Sequence, residues 1–276
     1  MSQVPLSPPV ASSSRDALRM LNGFVLRRDG VEVLVTAGCQ RLVALLAVNG
    51  PTGRAVAAGT LWPDVPDERA SGNLRTSLWR LNQQWPGLVQ TDEQSLSLTR
   101  QIALDTVELT TRARAVADLS AGLEPAETYC GLIDAGELLP GWYEDWVILA
   151  RERLRLLRLH ALELLSARLL GAGQVVWAME SAMASVRAEP LRESAHYAVL
   201  AVHVACGNAD EARRYFAQVS LVLRAELDVE PSDALRLLAQ QAGRQAETGV
   251  PAQRRRVAPT SETGGVGAVS LNVAPT

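Results

Sequence analysis

Between Arg69 and Trp85 the chain carries Arg69, Asn73, Arg75, Thr76, Arg80 and Gln83, the side-chain types that read base edges and hold phosphates. Leu74, Leu78, Leu81 and Trp85 recur at i, i+4, i+7 and i+11, the spacing of one buried helical stripe. Projected at about 100° per residue, that stripe turns Arg69, Gly72, Asn73, Thr76, Trp79, Arg80 and Gln83 outward, with Arg75 at the flank. From Arg69 onward the outward face holds no acid. An ordinary solvated helix has the same composition, so the neighbouring elements must decide. Trp79 is the odd member, and it is expected to pack against a hairpin or a second domain rather than against a thymine methyl.

Other chemistries find no constellation. All 27 cationic side chains are Arg, which excludes a Walker A lysine, a Schiff-base lysine and a kinase lysine. Cys39, Cys130 and Cys206 are odd in number and lack a C-x-x-C pair, arguing against disulfides or zinc and for a reducing cytoplasm. His196 and His203 are seven residues apart, but no third ligand has matching spacing, and with His160 they are assigned to packing. Asp134, Glu137, Glu144 and Asp145 have no nucleophile or cofactor cradle around them and read as helix-end and surface acids. No catalytic residue, metal site or cofactor is expected. Trp142, Tyr143 and Trp146 read as a core plug at the start of a long helix.

The elements that would position the Arg69–Trp85 helix follow from turn signals. Arg28-Asp29-Gly30 joins two β-rich runs into a hairpin. Helices are predicted over 40–48 and 54–62, stopped by Asn49-Gly50-Pro51 and Pro63. After Pro86-Gly87, alternation around Asp92-Glu93-Gln94 gives a second hairpin. Three helices followed by a hairpin describe a winged helix, whose third helix enters the major groove while the wing touches backbone.

From Thr106 to Ala246 only helices are predicted, over 107–119, 125–133, 144–170, 175–188, 191–205, 209–227 and 232–245. An offset of 34 aligns Gly173 with Gly207, Ala178 with Ala212, Leu165 with Val199 and Ala167 with Ala201, the tetratricopeptide period. The fold class is therefore mainly α with a small β component. It divides into a winged helix over 17–104 and a tetratricopeptide-like domain over 105–246, flanked by disordered tails over 1–16 and 247–276. The Arg254-Arg255-Arg256 cluster sits in the second tail. The longest apolar run, Leu42 to Val48, spans no membrane. Residues 17–100 hold nine Arg against seven acids and residues 111–250 hold 14 Arg against 19, so the net charge of −3 conceals an asymmetry.

These pieces resemble the SARP family of bacterial transcriptional activators. The resemblance covers roughly residues 20–245 and rests on L-N-G-F-V-L-R-R-D-G, Gln40-Arg41 with L-V-A-L-L-A, A-G-T-L-W-P-D and G-N-L-R-T-S-L-W-R-L in the first part. In the second it rests on L-L-P-G-W-Y-E-D-W-V, E-R-L-R-L-L-R-L-H-A-L-E, A-E-P-L-R-E and A-E-L-D-V-E-P-S. Cys39 stands where relatives commonly carry Pro or Lys, and the wing is acidic. The family implies a response-regulator-type (OmpR/PhoB-like) winged helix joined to a bacterial transcriptional activation domain. It also implies a homodimer on promoter direct repeats, recruitment of RNA polymerase holoenzyme and control of a secondary-metabolite (antibiotic) cluster from the cytoplasm, at the nucleoid. The competing reading is a protein-interaction or ligand-sensing scaffold whose winged helix does not bind DNA specifically. A fragment ending near Ile102 or Leu104 is expected to fold on its own small core.

Overall fold

The computed structural model describes residues 16–92 and 94–248. The expected tails fall almost wholly outside the described residues, together with the Arg254–Arg256 cluster and Glu93 of the wing. Residues 247 and 248 instead end the last helix.

Arg28-Asp29-Gly30 closes a hairpin between β2 (Val25–Arg28) and β3 (Val31–Glu32), with Asp29 at φ 51° and Gly30 at φ 81°. Two successive left-handed residues match the right-handed twist of the flanking strands. Two further strands complete this first sheet, β1 (Ala17–Arg19) and β7 (Ala103–Leu104), in the order β3-β2-β1-β7. The pairing of β1 with β7 is parallel, so the sheet ties the two ends of the winged helix together. Between them run α1 (Ala37–Asn49), β4 (Thr52–Gly53), α2 (Arg54–Leu61), α3 (Asp67–Gln84), β5 (Val89–Thr91) and β6 (Ser95–Leu98). The wing is β5-β6, and β4 joins it as a third strand in the order β4-β6-β5. Leu42, Val43, Ala44 and Leu45 of α1 are all 0% exposed, which makes α1 the centre of this core.

The helical part consists of α4 (Asp105–Ala117), a 3₁₀ turn (Ala126–Tyr129) running into α5 (Cys130–Ile133), α6 (Asp145–Gly171), α7 (Val175–Ala188), α8 (Glu193–Ala205), α9 (Ala209–Leu227) and α10 (Asp233–Thr248). Gly173 and Gly207, 34 apart, stand at φ 76° and 72°. Each ends its helix with the same pair of bonds: Gly173 N–H to Leu170 O and Gln174 N–H to Leu169 O, then Gly207 N–H to Val204 O and Asn208 N–H to His203 O. The repeat visible in the sequence is thus a repeated left-handed helix stop that only Gly adopts without strain. Ala178 and Ala212 are fully buried where paired helices approach. Glu163 joins α6 to the α7–α8 turn, accepting from Arg192 Nε at 2.6 Å and Ser194 Oγ at 2.9 Å.

A segment between α5 and α6 crosses back onto the winged helix. Leu138, Leu139 and Val147 belong to the same buried cluster as Leu18, Met20 and Leu42, and Trp142 stacks on Phe24 with ring centroids 6.2 Å apart. Its backbone adds a short antiparallel bridge beyond β1, with Asn22 N–H donating to Glu137 O (2.9 Å) and Leu139 N–H to Met20 O (2.8 Å). Gly136 permits this approach, because a Cβ there would lie 1.5 Å from the Asn22 side-chain oxygen. Arg151 of α6 then holds the strap: its Nε donates to Leu138 O (2.8 Å), and its Nη2 donates to Leu139 O (2.6 Å) and Trp142 O (2.8 Å). Leu139 sits at φ 45° with its side chain 0% exposed, a conformation tolerated because burial and the guanidinium hold it.

The first core is therefore not contained in residues 17–104, and the expectation of an independently folding fragment changes. A fragment ending at Leu104 is expected to show no cooperative thermal transition by circular dichroism, because it exposes the surfaces under Leu138, Leu139, Trp142 and Val147. In the full chain, Arg151→Lys is expected to cost roughly 2–4 kcal/mol in urea denaturation, since an ammonium has no fork for three carbonyls.

Asp105 makes the second tie. Its Oδ2 accepts from Met20 N–H (2.8 Å) and Leu21 N–H (2.9 Å), while its Oδ1 is buried without a donor. Burial raises the carboxyl above the ordinary 3.8, against the opposing N–H bonds. A raised folded-state value means that this group's contribution to stability is complete below the ordinary value and is lost as pH rises through the raised one. Asp105→Asn keeps an acceptor without the charge, so at pH 7 it is expected to match or exceed the parent and to flatten the pH dependence of stability between pH 4 and 7. Asp105→Ala is expected to lose roughly 1–3 kcal/mol by stranding two N–H groups. Denaturation midpoints across that pH range check both.

Candidate nucleic-acid interface

Helix α3 begins at Asp67, two residues before the first predicted position. Asp67 and Glu68 in its first turn complement the positive end of the helix dipole. Glu68 lies one turn before Gly72 on the outward face, so the face is acid-free only from Arg69 onward. The buried stripe is Ala70, Leu74, Ser77 and Leu81, with Trp85 closing it, while Leu78 is only partly covered. Small residues set how close α1 comes: the Cys39 thiol donates to Ser77 O at 3.6 Å, and a Cβ on Gly38 would lie 3.4 Å from Ser77 Oγ. Packing of α1 against α3 fixes which side of α3 faces outward.

That side presents Arg69, Arg75, Thr76, Trp79, Arg80 and Gln83 to solvent, with Gly72 and Asn73 half-buried. The periodicity thus places six of its seven candidates on the open surface and leaves Asn73 at its margin. Thr76 Oγ1 donates to Gly72 O at 3.0 Å, which turns its methyl and lone pairs outward rather than its proton. Among the described residues, Arg69, Arg75 and Arg80 have neither an ion pair nor a hydrogen bond from the guanidinium. Trp79 corrects its expectation. It is 64% exposed rather than packed under a hairpin or a second domain.

Trp79 instead walls a groove of about 360 Å³ between α3, the start of α2 and the wing, which Arg75, Arg54, Asn82 and Thr91 also line. Arg54 is the residue that sequence periodicity missed. It opens α2 and its N–H donates to Gln94 O of the wing at 3.0 Å, so the pairing of β4 with β6 brings its side chain beside α3. Only the composition Gly53-Arg54 before an apolar helix could have signalled it. On the wing, Asp92 Oδ1 accepts from Gln94 N–H (3.1 Å) and Oδ2 from Ser95 Oγ (3.0 Å). The Gln94 bond is the main reason that this carboxyl lies below its usual range. Asp92 is a turn-forming acid, which explains its presence beside a cationic face.

The remaining candidates fall elsewhere. Glu137 pairs with Arg151 (2.8 Å) and Glu144 with Arg41 of α1 (2.6 Å), so these acids answer cations at the strap instead of each other. Trp142 and Trp146 pack on the winged-helix core, whereas Tyr143 is 78% exposed. His196 joins α8 to α9, its Nε2 donating to Pro190 O and its Nδ1 accepting from Tyr215 Oη, each at 2.8 Å. Burial pushes the Tyr215 phenol up to about 12. His203, whose ring lies 6.0 Å from that of Tyr215, is held below the ordinary histidine range by burial. Among the described residues no helix is long and apolar enough to cross a membrane, and no group of three His, Cys, Asp or Glu side chains could hold a metal ion.

Comparison with known proteins agrees with this architecture. Residues 126–242 match the bacterial transcriptional activator domain. The chain is 30% identical over 251 residues to Regulatory protein AfsR of Streptomyces coelicolor, covering 86% of this chain and 24% of that protein. It thus spans about a quarter of that relative's length. The structure of Mycobacterium tuberculosis EmbR in complex with a low-affinity phosphopeptide superposes with a TM-score of 0.64 at 18% identity, over 84% of this chain and 65% of that one. At that identity the likeness concerns the fold: a winged helix followed by a helical activator domain. Residues 126–242 thus belong to the bacterial transcriptional activator domain, and the likenesses of sequence and fold extend the resemblance to regulators of this type over nearly all of the described chain.

Proposed function

We propose that the chain is a sequence-specific DNA-binding activator of a secondary-metabolite gene cluster, acting in the cytoplasm at the nucleoid. It lays α3 in the major groove of promoter direct repeats as a pair of copies and recruits RNA polymerase through its helical domain. The observation that carries this reading is the exposed α3 face with three guanidiniums that no protein group among the described residues answers. Elsewhere on this chain Arg side chains are mostly engaged, so unengaged forks gathered on one helix suit phosphates. In this reading Arg69, Arg75, Arg80 and Arg54 hold backbone, while Asn73, Thr76, Gln83 and the exposed Trp79 meet base edges. The half-burial of Asn73 restricts it to the edge nearest the helix axis.

The competing reading, a scaffold whose winged helix binds protein, draws on Asp67, Glu68 and Asp92 beside the face. The turn role of Asp92 and the dipole position of the other two account for these acids without a protein partner.

In a shift assay on promoter fragments of the neighbouring cluster, the intact chain is expected to prefer its operator over random DNA by roughly 10³-fold or more. Arg80→Ala is expected to weaken binding to all sequences and to flatten the salt dependence by about one phosphate contact. Asn73→Ala is expected to narrow the gap between operator and random DNA. Equal salt slopes for Arg80→Ala and the parent would remove Arg80 from the phosphate contacts, and no preference for any fragment would favour the scaffold.

Activation is expected to need the whole described chain. In reconstituted transcription the intact protein should raise output from that promoter and Arg80→Ala should not. Output that rises equally with Arg80→Ala would separate activation from DNA contact by α3.

A further inference from the structure

The groove between the strap, α6 and α7 gathers four guanidiniums around a cavity of about 720 Å³. Two of them are answered by carboxylates. Arg151 pairs with Glu137 at 2.8 Å, and Arg155 pairs with Glu152 at 2.8 Å and also with Glu189. The other two are not. Arg158 donates from Nε to Leu132 O (2.9 Å) and from Nη2 to Ile133 O (2.7 Å), which leaves Nη1 without a partner among the described residues. Arg187, in the last turn of α7, has no hydrogen bond or ion pair among the described residues.

The two unanswered cations feel each other. Burial first, and then the charge of Arg187, hold the Arg158 guanidinium below its usual range, with Asp134 opposing. Arg187 at the end of α7 suits the helix dipole, which accounts for a cation there, but Asp134 offsets its repulsion with Arg158 only in part. Leu109, Ile133, Ile148 and Leu154 supply apolar wall beside the charges. A cavity of this size with apolar walls and a few convergent polar groups has the form of a small-molecule site.

We propose that this groove binds a small organic anion, a carboxylate or phosphate monoester with an apolar body, its headgroup held between Nη1 of Arg158 and the fork of Arg187. The bound anion would replace cation–cation repulsion with two charge-assisted contacts. Because Leu138 and Arg151 also line the groove, the ligand would sit against the strap that joins the two parts of the chain. This goes beyond DNA recognition and uses none of its residues.

The test uses the full chain, with isothermal calorimetry and thermal unfolding against phenyl phosphate, inorganic phosphate and phenethylamine. Phenyl phosphate is expected to bind and to raise Tm, inorganic phosphate to do so more weakly, and phenethylamine to do neither. Arg187→Ala is expected to weaken phenyl phosphate binding at least ten-fold while its ligand-free Tm equals or exceeds the parent's, since a repulsion is removed. The double variant Arg75→Ala with Arg80→Ala is expected to bind phenyl phosphate as the parent does. Unchanged affinity in Arg187→Ala, loss of binding in the α3 double variant, equal binding of phenethylamine, or no binding of either anion by the parent would each overturn the proposal.

Discussion

Three guanidiniums of α6, reaching back to the carbonyls of the segments before it, set the shape of the chain between the wing and the repeats. Arg151 holds the strap, Arg158 holds the carbonyls at the end of α5, and Arg168 holds those of Val116 and Asp118 at the end of α4 and of Ala121 beyond it. Each binds carbonyl oxygens that a finished helix or an irregular turn leaves without donors, a requirement that grows with burial. A guanidinium serves because its planar fork reaches several acceptors at once and stays charged when desolvated. The complete absence of Lys gives this chain no other long donor for the task.

Once Arg151 fixes the strap, the winged helix and the helical domain share a core. Met20 is 0% exposed beneath it, Leu18 and Leu139 lie in one cluster, and Asp105 binds the two N–H groups that follow β1. The Arg41–Glu144 pair at 2.6 Å adds a third tie, worth little by itself because Arg41 is half exposed. The direction in which α3 faces is consequently set relative to α6 and the repeats. On the proposed function, a fixed angle between the two parts means that the DNA site dictates where the protein-contacting surface lies.

Elements with local causes were legible in the sequence. The Asp29-Gly30 turn, the α3 stripe and the Gly173 and Gly207 helix stops each depend on a few neighbouring residues; the structure shows the turn and the stops where the pattern puts them, and the stripe with Ala70 and Ser77 added and Leu78 at its edge. What was not legible depends on pairing over distance. The two-residue strands β4 and β7 carry no alternation of their own and exist because Leu96 and Leu18 offer them a backbone partner. The strap looked like a helix-start plug, which was right for Trp142 and Trp146, but nothing in L-L-P-G-W-Y-E-D-W names the core that it enters. Arg54 was invisible for the same reason, since only the β4–β6 pairing puts it beside Arg75. Trp79 failed differently. Its size argued for burial, whereas the helix around it has a stripe of smaller residues that already seals the contact with α1.

Charge counting over long windows misjudges such a chain because it treats every Arg alike. Residues 111–250 hold more Arg than residues 17–100, yet eight of theirs (Arg112, Arg151, Arg155, Arg192, Arg213, Arg214, Arg224 and Arg236) are paired with carboxylates. Two more, Arg158 and Arg168, are engaged with carbonyls. Within 17–100 only Arg41 has a carboxylate partner among the described residues, and Arg28 lies over the Trp85 ring. A paired Arg presents little potential to a distant phosphate, while an unpaired one keeps its field and its donors. The contrast between the two parts is therefore less one of net charge than of how many guanidiniums remain unanswered, and on α3 those lie along one exposed face.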